Sequence, residues 1–186
     1  MKNLFLIMLL SFLTPCAYSQ SDYNRDYDKC VHAWKLMSDG DSLLKLKNND
    51  QALVYYQSAL HLFTKLYKKE PLSETHVYGL SSAYGRVADA YNANNNKEKA
   101  LEFYIKENDI IMQQLDRMKK RTLLIEALLN SYINLGTFYK VTTPEKAKIY
   151  FKMAEETLFP LLNKDKKNAC YQETFQCIQN NMTELK

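Results

Sequence analysis

The side chains that could do chemistry are few and scattered. His32, His61 and His76 lie in separate apolar-periodic stretches, with no metal-ligand spacing among them. Each reads as a helix-face residue. Cys30 and His32 would make a nucleophile and a base if they met, but residues two apart on a helix point to different faces. No Gly-rich phosphate loop, HExxH, GxSxG or paired-Cys zinc motif occurs anywhere in the chain. Cys170 and Cys177 stand about 10.5 Å apart along a helix, and a disulfide needs Cα atoms within roughly 7 Å. They cannot bridge while helical, and with Cys30 they read as small buried apolar residues. Asn181-Met182-Thr183 is a glycosylation sequon with meaning only in a eukaryotic secretory pathway. The expectation is a protein with no catalytic residue, no cofactor and no metal.

What remains is the framework that would position a binding surface. Residues 1–19 read as a signal peptide: Lys2, an apolar run from Leu4 to Leu13, then the small-x-small site Ala17-Tyr18-Ser19. Cleavage there makes Gln20 the mature N-terminus and the location periplasmic or secreted. A rival reading takes Leu13-Thr14-Pro15-Cys16 as a lipoprotein site, anchoring the chain through Cys16. It resembles the bacterial lipobox, but Pro15 stands where that motif takes Gly, Ala or Ser. No other apolar run approaches membrane-spanning length.

Residues 20–186 fit one domain able to bury a sizeable core. The formal net charge of +4 falls by one without Lys2, too weak a bias for a nucleic-acid partner. Four glycines and four prolines in 186 residues leave helix formers dominant, so the class is all-α.

Apolar periodicity predicts seven helices. The first runs from Asp22 to Asn48 on Tyr23, Tyr27, Cys30, Trp34 and Met37, with Gly40 as a close-approach point or slight kink. The second carries Ala52, Tyr56, Ala59, Phe63 and Leu66 and stops near Pro71. Ser73 or Thr75 caps the third, which bears Val77, Leu80, Tyr84, Val87, Ala88 and Tyr91. After the turn at 92–96, Lys97 begins a fourth with Ala100, Leu101, Tyr104, Ile111 and Leu115. Near Met118 to Thr122 there is neither Gly nor Pro, and one long bent helix would look much like two. From Tyr132 to Ala154 the pattern is a helical hairpin: Thr143-Pro144-Glu145 closes one helix and caps the next. A seventh helix, from about Asn168 to Met182, shows Tyr171, Phe175, Ile178 and Met182 on one face.

The second helices of the hairpins share a pattern that starts at Ala52, Ala100 and Ala147, at intervals of 48 and 47. With Tyr132, Leu135, Gly136 and Tyr139, then Ala147, Phe151 and Ala154, the third copy resembles the tetratricopeptide repeat, its linking turn one residue short. The second copy has Tyr84, Val87, Ala88, Tyr91, Ala100 and Tyr104, but Glu107 replaces the last Ala. The first keeps Ala52, Tyr56 and Ala59, and its leading helix aligns on either Trp34 or Gly40. The usual unit is about 34 residues, so each helix here is longer by roughly two turns. The resemblance implies a right-handed superhelical stack of about three hairpins with a C-terminal capping helix.

It also implies a concave groove, lined by the first helices, that binds a protein or peptide. Ser82, Gly85, Asp89 and Asn92 would face it from the second copy, and Asn130, Ile133, Thr137 and Lys140 from the third. Chaperone-binding members clamp a terminal carboxylate with basic residues at such positions. Here Asp89 has the wrong sign and only Lys140 is basic, which argues against that ligand. A separate basic edge would form from Lys68 and Lys69, Lys119, Lys120 and Arg121, and Lys164, Lys166 and Lys167. Each cluster closes a second helix, where cations complement the helix dipole. The resulting reading is an exported, non-enzymatic adaptor. The alternatives are a structural subunit of an envelope or secretion assembly and a small helical enzyme or inhibitor without a recognisable motif.

Overall fold

The computed structural model describes residues 20–118 and 122–185. The signal-peptide reading, Cys16, Lys119, Lys120 and Arg121 lie outside the described residues. Seven helices account for most of the described residues: α1 (Gln20–Lys45), α2 (Asn49–Lys69), α3 (Glu74–Ala93), α4 (Lys97–Leu115), α5 (Thr122–Thr142), α6 (Pro144–Lys164) and α7 (Ala169–Glu184). They form three hairpins, α1/α2, α3/α4 and α5/α6, stacked in chain order with α7 packed on α6. Each second helix also packs against the next first helix. The first helices touch one another, α1 with α3 and α3 with α5, and so build one continuous wall.

Local chemistry sets the boundaries. Ser73 caps α3 by accepting from the His76 N–H, which selects it over Thr75. Asn96 and Asn168 cap α4 and α7 in the same way. Thr143 precedes α6, but its hydroxyl makes no cap bond, contrary to the expectation. Its backbone is pulled to φ −149°, leaving Pro144 and Glu145 to mark the helix start. Between α4 and α5 the chain leaves the helix at Leu115, with the Arg117 N–H on the Gln114 carbonyl, so two helices replace one bent helix.

The turns explain the unequal repeat. Lys47 and Asn95, 48 residues apart, both adopt positive φ, at 60° and 58°. In each turn the next residue's N–H reaches back to the carbonyl five before it, Asn48 to Leu43 and Asn96 to Tyr91. The third turn contains no such residue, since α5 ends at Thr142 and α6 begins at Pro144. The missing position accounts for the interval of 47.

Packing fixes the alignment of the first copy. A Cβ on Gly40 would lie 2.5 Å from the Tyr56 ring, and one on Gly136 would lie 2.9 Å from the Phe151 ring. Ala88, fully buried with Tyr104, takes the same place in the second hairpin. Positions 40, 88 and 136 are thus equivalent, and Trp34 is not the matching residue. Trp34 instead packs edge-on against Phe63 and beside Tyr78. Ala52, Ala59, Ala100, Ala147 and Ala154 are all fully buried, giving the neighbouring helices room to close on the aromatic rings. Each such ring, once buried, contributes roughly 1.5–3 kcal/mol.

The C-terminal helix is a half-used element. Ile178 is its one buried residue among those described. Partly buried Phe175 and Met182 pack beside it on the core, and polar ties add to these: Tyr171 donates to Glu126 at 2.7 Å and Gln179 to Glu155 at 2.5 Å. Cys170 and Cys177 are exposed, not buried as expected, because they lie away from the packed side, while Cys30 is half-buried. Thiol titration of native residues 20–186 should therefore find two fast thiols and one slow one. Three slow thiols would contradict this placement of α7.

Candidate functional site

The wall of first helices encloses a cavity of about 320 Å³. Asp41 of α1 lines it, with Tyr78, Ser82, Gly85, Arg86 and Asp89 of α3. Glu107 enters from α4, and Ala127, Asn130 and Asn134 from α5. Helical spacing brings these residues together. Positions 78, 82, 85 and 89 of α3, and 127, 130 and 134 of α5, recur at steps of three and four on one face.

Two carboxylates repeat with the fold. Tyr56 donates to Asp41 at 2.8 Å, and 48 residues later Tyr104 donates to Asp89 at 2.5 Å. In the third copy the equivalent pair is Thr137 and Phe151, with no phenol to donate. Burial, joined by the neighbouring carboxylate, raises both phenols well above the ordinary tyrosine value. Arg86 holds Asp41 through Nε at 2.9 and 3.2 Å and Nη2 at 3.0 Å, an α1–α3 tie of the strong bidentate kind. Burial works against the Arg86 charge, but the bond to Asp41 and the charges of Asp41, Tyr56 and Asp89 together outweigh it and raise the guanidinium above its ordinary value.

Glu107 is the unusual member. It is only 5 % exposed, and its bonds come from the Asn134 amide at 3.1 and 3.4 Å. A Cβ on Gly85 would lie 2.7 Å from its Oε1, so the carboxyl occupies the space that this glycine leaves. Burial pushes its pKa up to about 8. The Asn134 bond works against the rise, nearby Asp89 adds to it, and Arg86 moderates it. Asp89 is likewise raised by burial, against the Tyr104 bond and the Arg86 charge.

Four of the eight residues expected in a groove line this cavity: Ser82, Gly85, Asp89 and Asn130. The other four lie elsewhere. Asn92 accepts from Lys97 at the hairpin turn. Ile133 is half-buried against the core of the third hairpin. Thr137 is exposed outside the cavity. Lys140 is tied to Asn181 at 2.9 Å and to Glu184, because α7 folds over that end of α5. Asp41, Arg86, Glu107 and Asn134 were not expected. The visible signals were, for Asp41, the 48-residue spacing of the Asp41/Tyr56 and Asp89/Tyr104 pairs and, for Glu107, the break in the alanine pattern; Arg86 and Asn134 had none.

At the expected basic edge, Lys69 pairs with Asp26 of α1, whose carboxyl that bond holds down at about 2. Lys68, Lys164, Lys166 and Lys167 are exposed. The Lys69 contact ties two helices, which is structural work. Exposed pairs of this kind contribute roughly 0–1 kcal/mol.

Elsewhere, Cys30 and His76, but not His32, line a second cavity that includes Ser73 and Thr75. Burial raises the Cys30 thiol above its ordinary value, the reverse of what activates a nucleophile. Among the described residues no group of three or more His, Cys, Asp or Glu is arranged to hold a metal ion, and no helix is long and apolar enough to cross a membrane. In comparisons with known proteins, no family model matches the chain and no curated protein matches it.

Proposed function

We propose that this chain is an exported, non-enzymatic adaptor of tetratricopeptide-like architecture. It binds a protein or peptide partner along the wall formed by α1, α3 and α5. The observation that carries the reading is the cavity in that wall, where residues of three successive first helices converge on one polar hollow. A plain helical bundle uses such an inner surface for packing. Here Ser82, Asn130 and Asn134 remain at least partly accessible beside buried charges. Repeat stacks bind extended partners along surfaces of this kind.

The test is affinity capture from extract of cells that make the protein, with wild type and Asn130→Trp compared by quantitative mass spectrometry. Asn130 is exposed at the cavity rim, so a Trp there blocks the hollow without entering the core. The expected result is one stoichiometric partner, reduced at least tenfold by Asn130→Trp. Equal capture by both forms would remove the wall from the binding function.

A further inference from the structure

We infer that the cavity between α1, α3, α4 and α5 receives one cationic side chain, lysine or arginine, from an extended segment of the partner. The inference rests on the groove reading above and specifies its chemistry. The cavity, at about 320 Å³, lies at the small end of ligand sites, which run from roughly 300 to 1,000 Å³. That suits one side chain better than a length of peptide.

The charges inside do not balance. Three carboxyl groups and one guanidinium line the hollow. Arg86 is engaged by Asp41 through three contacts, which leaves Asp89 and Glu107. Tyr104 donates to one oxygen of Asp89, and among the described residues only the Asn134 amide donates to Glu107. A carboxyl so enclosed holds its proton until a cation joins it, and then ionises to pair with that cation. A lysine or arginine head would supply that charge. An anionic side chain would meet two carboxyl groups and, among the described residues, no free cation, and an apolar one would leave the polar lining without partners.

The repeat supplies an independent argument. At the positions of Gly85 and Glu107 the first hairpin has Met37 and Ala59, and the third has Ile133 and Ala154. Both outer copies put a large apolar residue on the first helix and a small one on the second, and pack them into the core. The central copy exchanges the sizes and replaces the apolar group by a carboxyl. Glycine opens the wall, and Glu107 reaches past it from the second helix to the cavity. The outer copies show that the fold closes without this exchange.

The side-chain amide resonances of Asn130 and Asn134 report on the site directly. The probes are the N-acetyl methylamides of lysine, arginine, norleucine and glutamate, titrated into residues 20–186. Saturable shifts are expected with lysine or arginine, with norleucine and glutamate at least tenfold weaker. Glu107→Gln and Asp89→Asn, each checked by thermal unfolding, should each weaken the cationic probes at least tenfold. Asp89→Asn keeps an oxygen for Tyr104, so one variant serves if the other fails to fold. Equal response to norleucine or glutamate, no saturable response, or undiminished binding by a folded variant would overturn the inference. Failure of the groove reading looks different: partner capture would be indifferent to Asn130→Trp while the cationic probes still saturate. If Asn130→Trp abolishes capture and the cationic probes do nothing, the groove stands and the cation subsite is wrong.

Discussion

Phe63→Ala is expected to lower stability by about 3–5 kcal/mol, and Gly79→Ala by about 1–2 kcal/mol, with the double variant losing clearly less than the sum. Phe63 of α2 is fully buried, and a Cβ built on Gly79 of α3 would sit 2.1 Å from its ring. The ring cannot swing aside, since Trp34 packs edge-on against it at 5.2 Å between centroids. Alanine in place of a mid-helix glycine gains about 1 kcal/mol of propensity, while forcing a methyl into a packed core typically costs about 1–3 kcal/mol. With so short a contact the steric loss wins. Once Phe63 is cut back, the methyl has room and the propensity gain returns. Chemical denaturation of the four forms gives the coupling. Strict additivity would mean that α2 and α3 do not meet through this ring.

The second large effect is electrostatic and depends on pH. Native Glu107 keeps its proton up to about pH 8, whereas its ordinary value is 4.5. Between those values the native state binds more protons than the unfolded chain. The contribution is therefore fully present below pH 4.5 and is lost as pH rises through 8. Each unit is worth at most about 1.4 kcal/mol, and the whole window on the order of 4 kcal/mol. Asp89 shifts in the same direction, and Arg86 and the Asn134 bond oppose the Glu107 shift. Glu107→Gln keeps an acceptor for Asn134 and removes the titration. Its stability should gain on wild type across the window, reaching an advantage of about 2–4 kcal/mol near pH 8.5. Asp26 moves the other way: its value is lowered from 3.8 to about 2, so its contribution is lost only in acid, in a separate window. Parallel pH profiles for wild type and Glu107→Gln would mean that the carboxyl is not enclosed as described.

Much of this fold was legible because it is repetitive and periodic. Ala52, Ala100 and Ala147 announced equivalent positions, and the rings one turn later announced what would pack beside them. The sequence could not decide between Trp34 and Gly40 in the first copy, because both suit the helical spacing. The choice depends on Tyr56 crossing over Gly40, a contact between helices. The break after Leu115 was obscure for a similar reason, as the chain turns there without Gly or Pro. The Thr143 cap failed where the shortened turn altered backbone direction, and a residue's type carries no information about that.

Of the residues that the resemblance implies for a groove, Ser82, Gly85, Asp89 and Asn130 line one cavity, because the first three share a face of α3 and Asn130 faces them from α5. Lys140 was misplaced because nothing in its own helix says that α7 will return to meet it. Glu107 stood out as the break in an alanine pattern, but its meaning lies in the pairing with Gly85. That pairing joins residues 22 positions apart on antiparallel helices. The tie between Arg86 and Asp41 joins residues 45 apart on different helices, and their pairing was hidden for the same reason.

Amide hydrogen exchange on residues 20–186, alone and bound to the captured partner, locates the surface that the partner covers. Binding at the wall predicts slowed exchange in α3 around Ser82 to Asp89 and in α5 around Ala127 to Asn134. The outer faces of α2 and α6 should be unchanged. Protection confined to α7 or to those outer faces, with α3 and α5 unaffected, would contradict it.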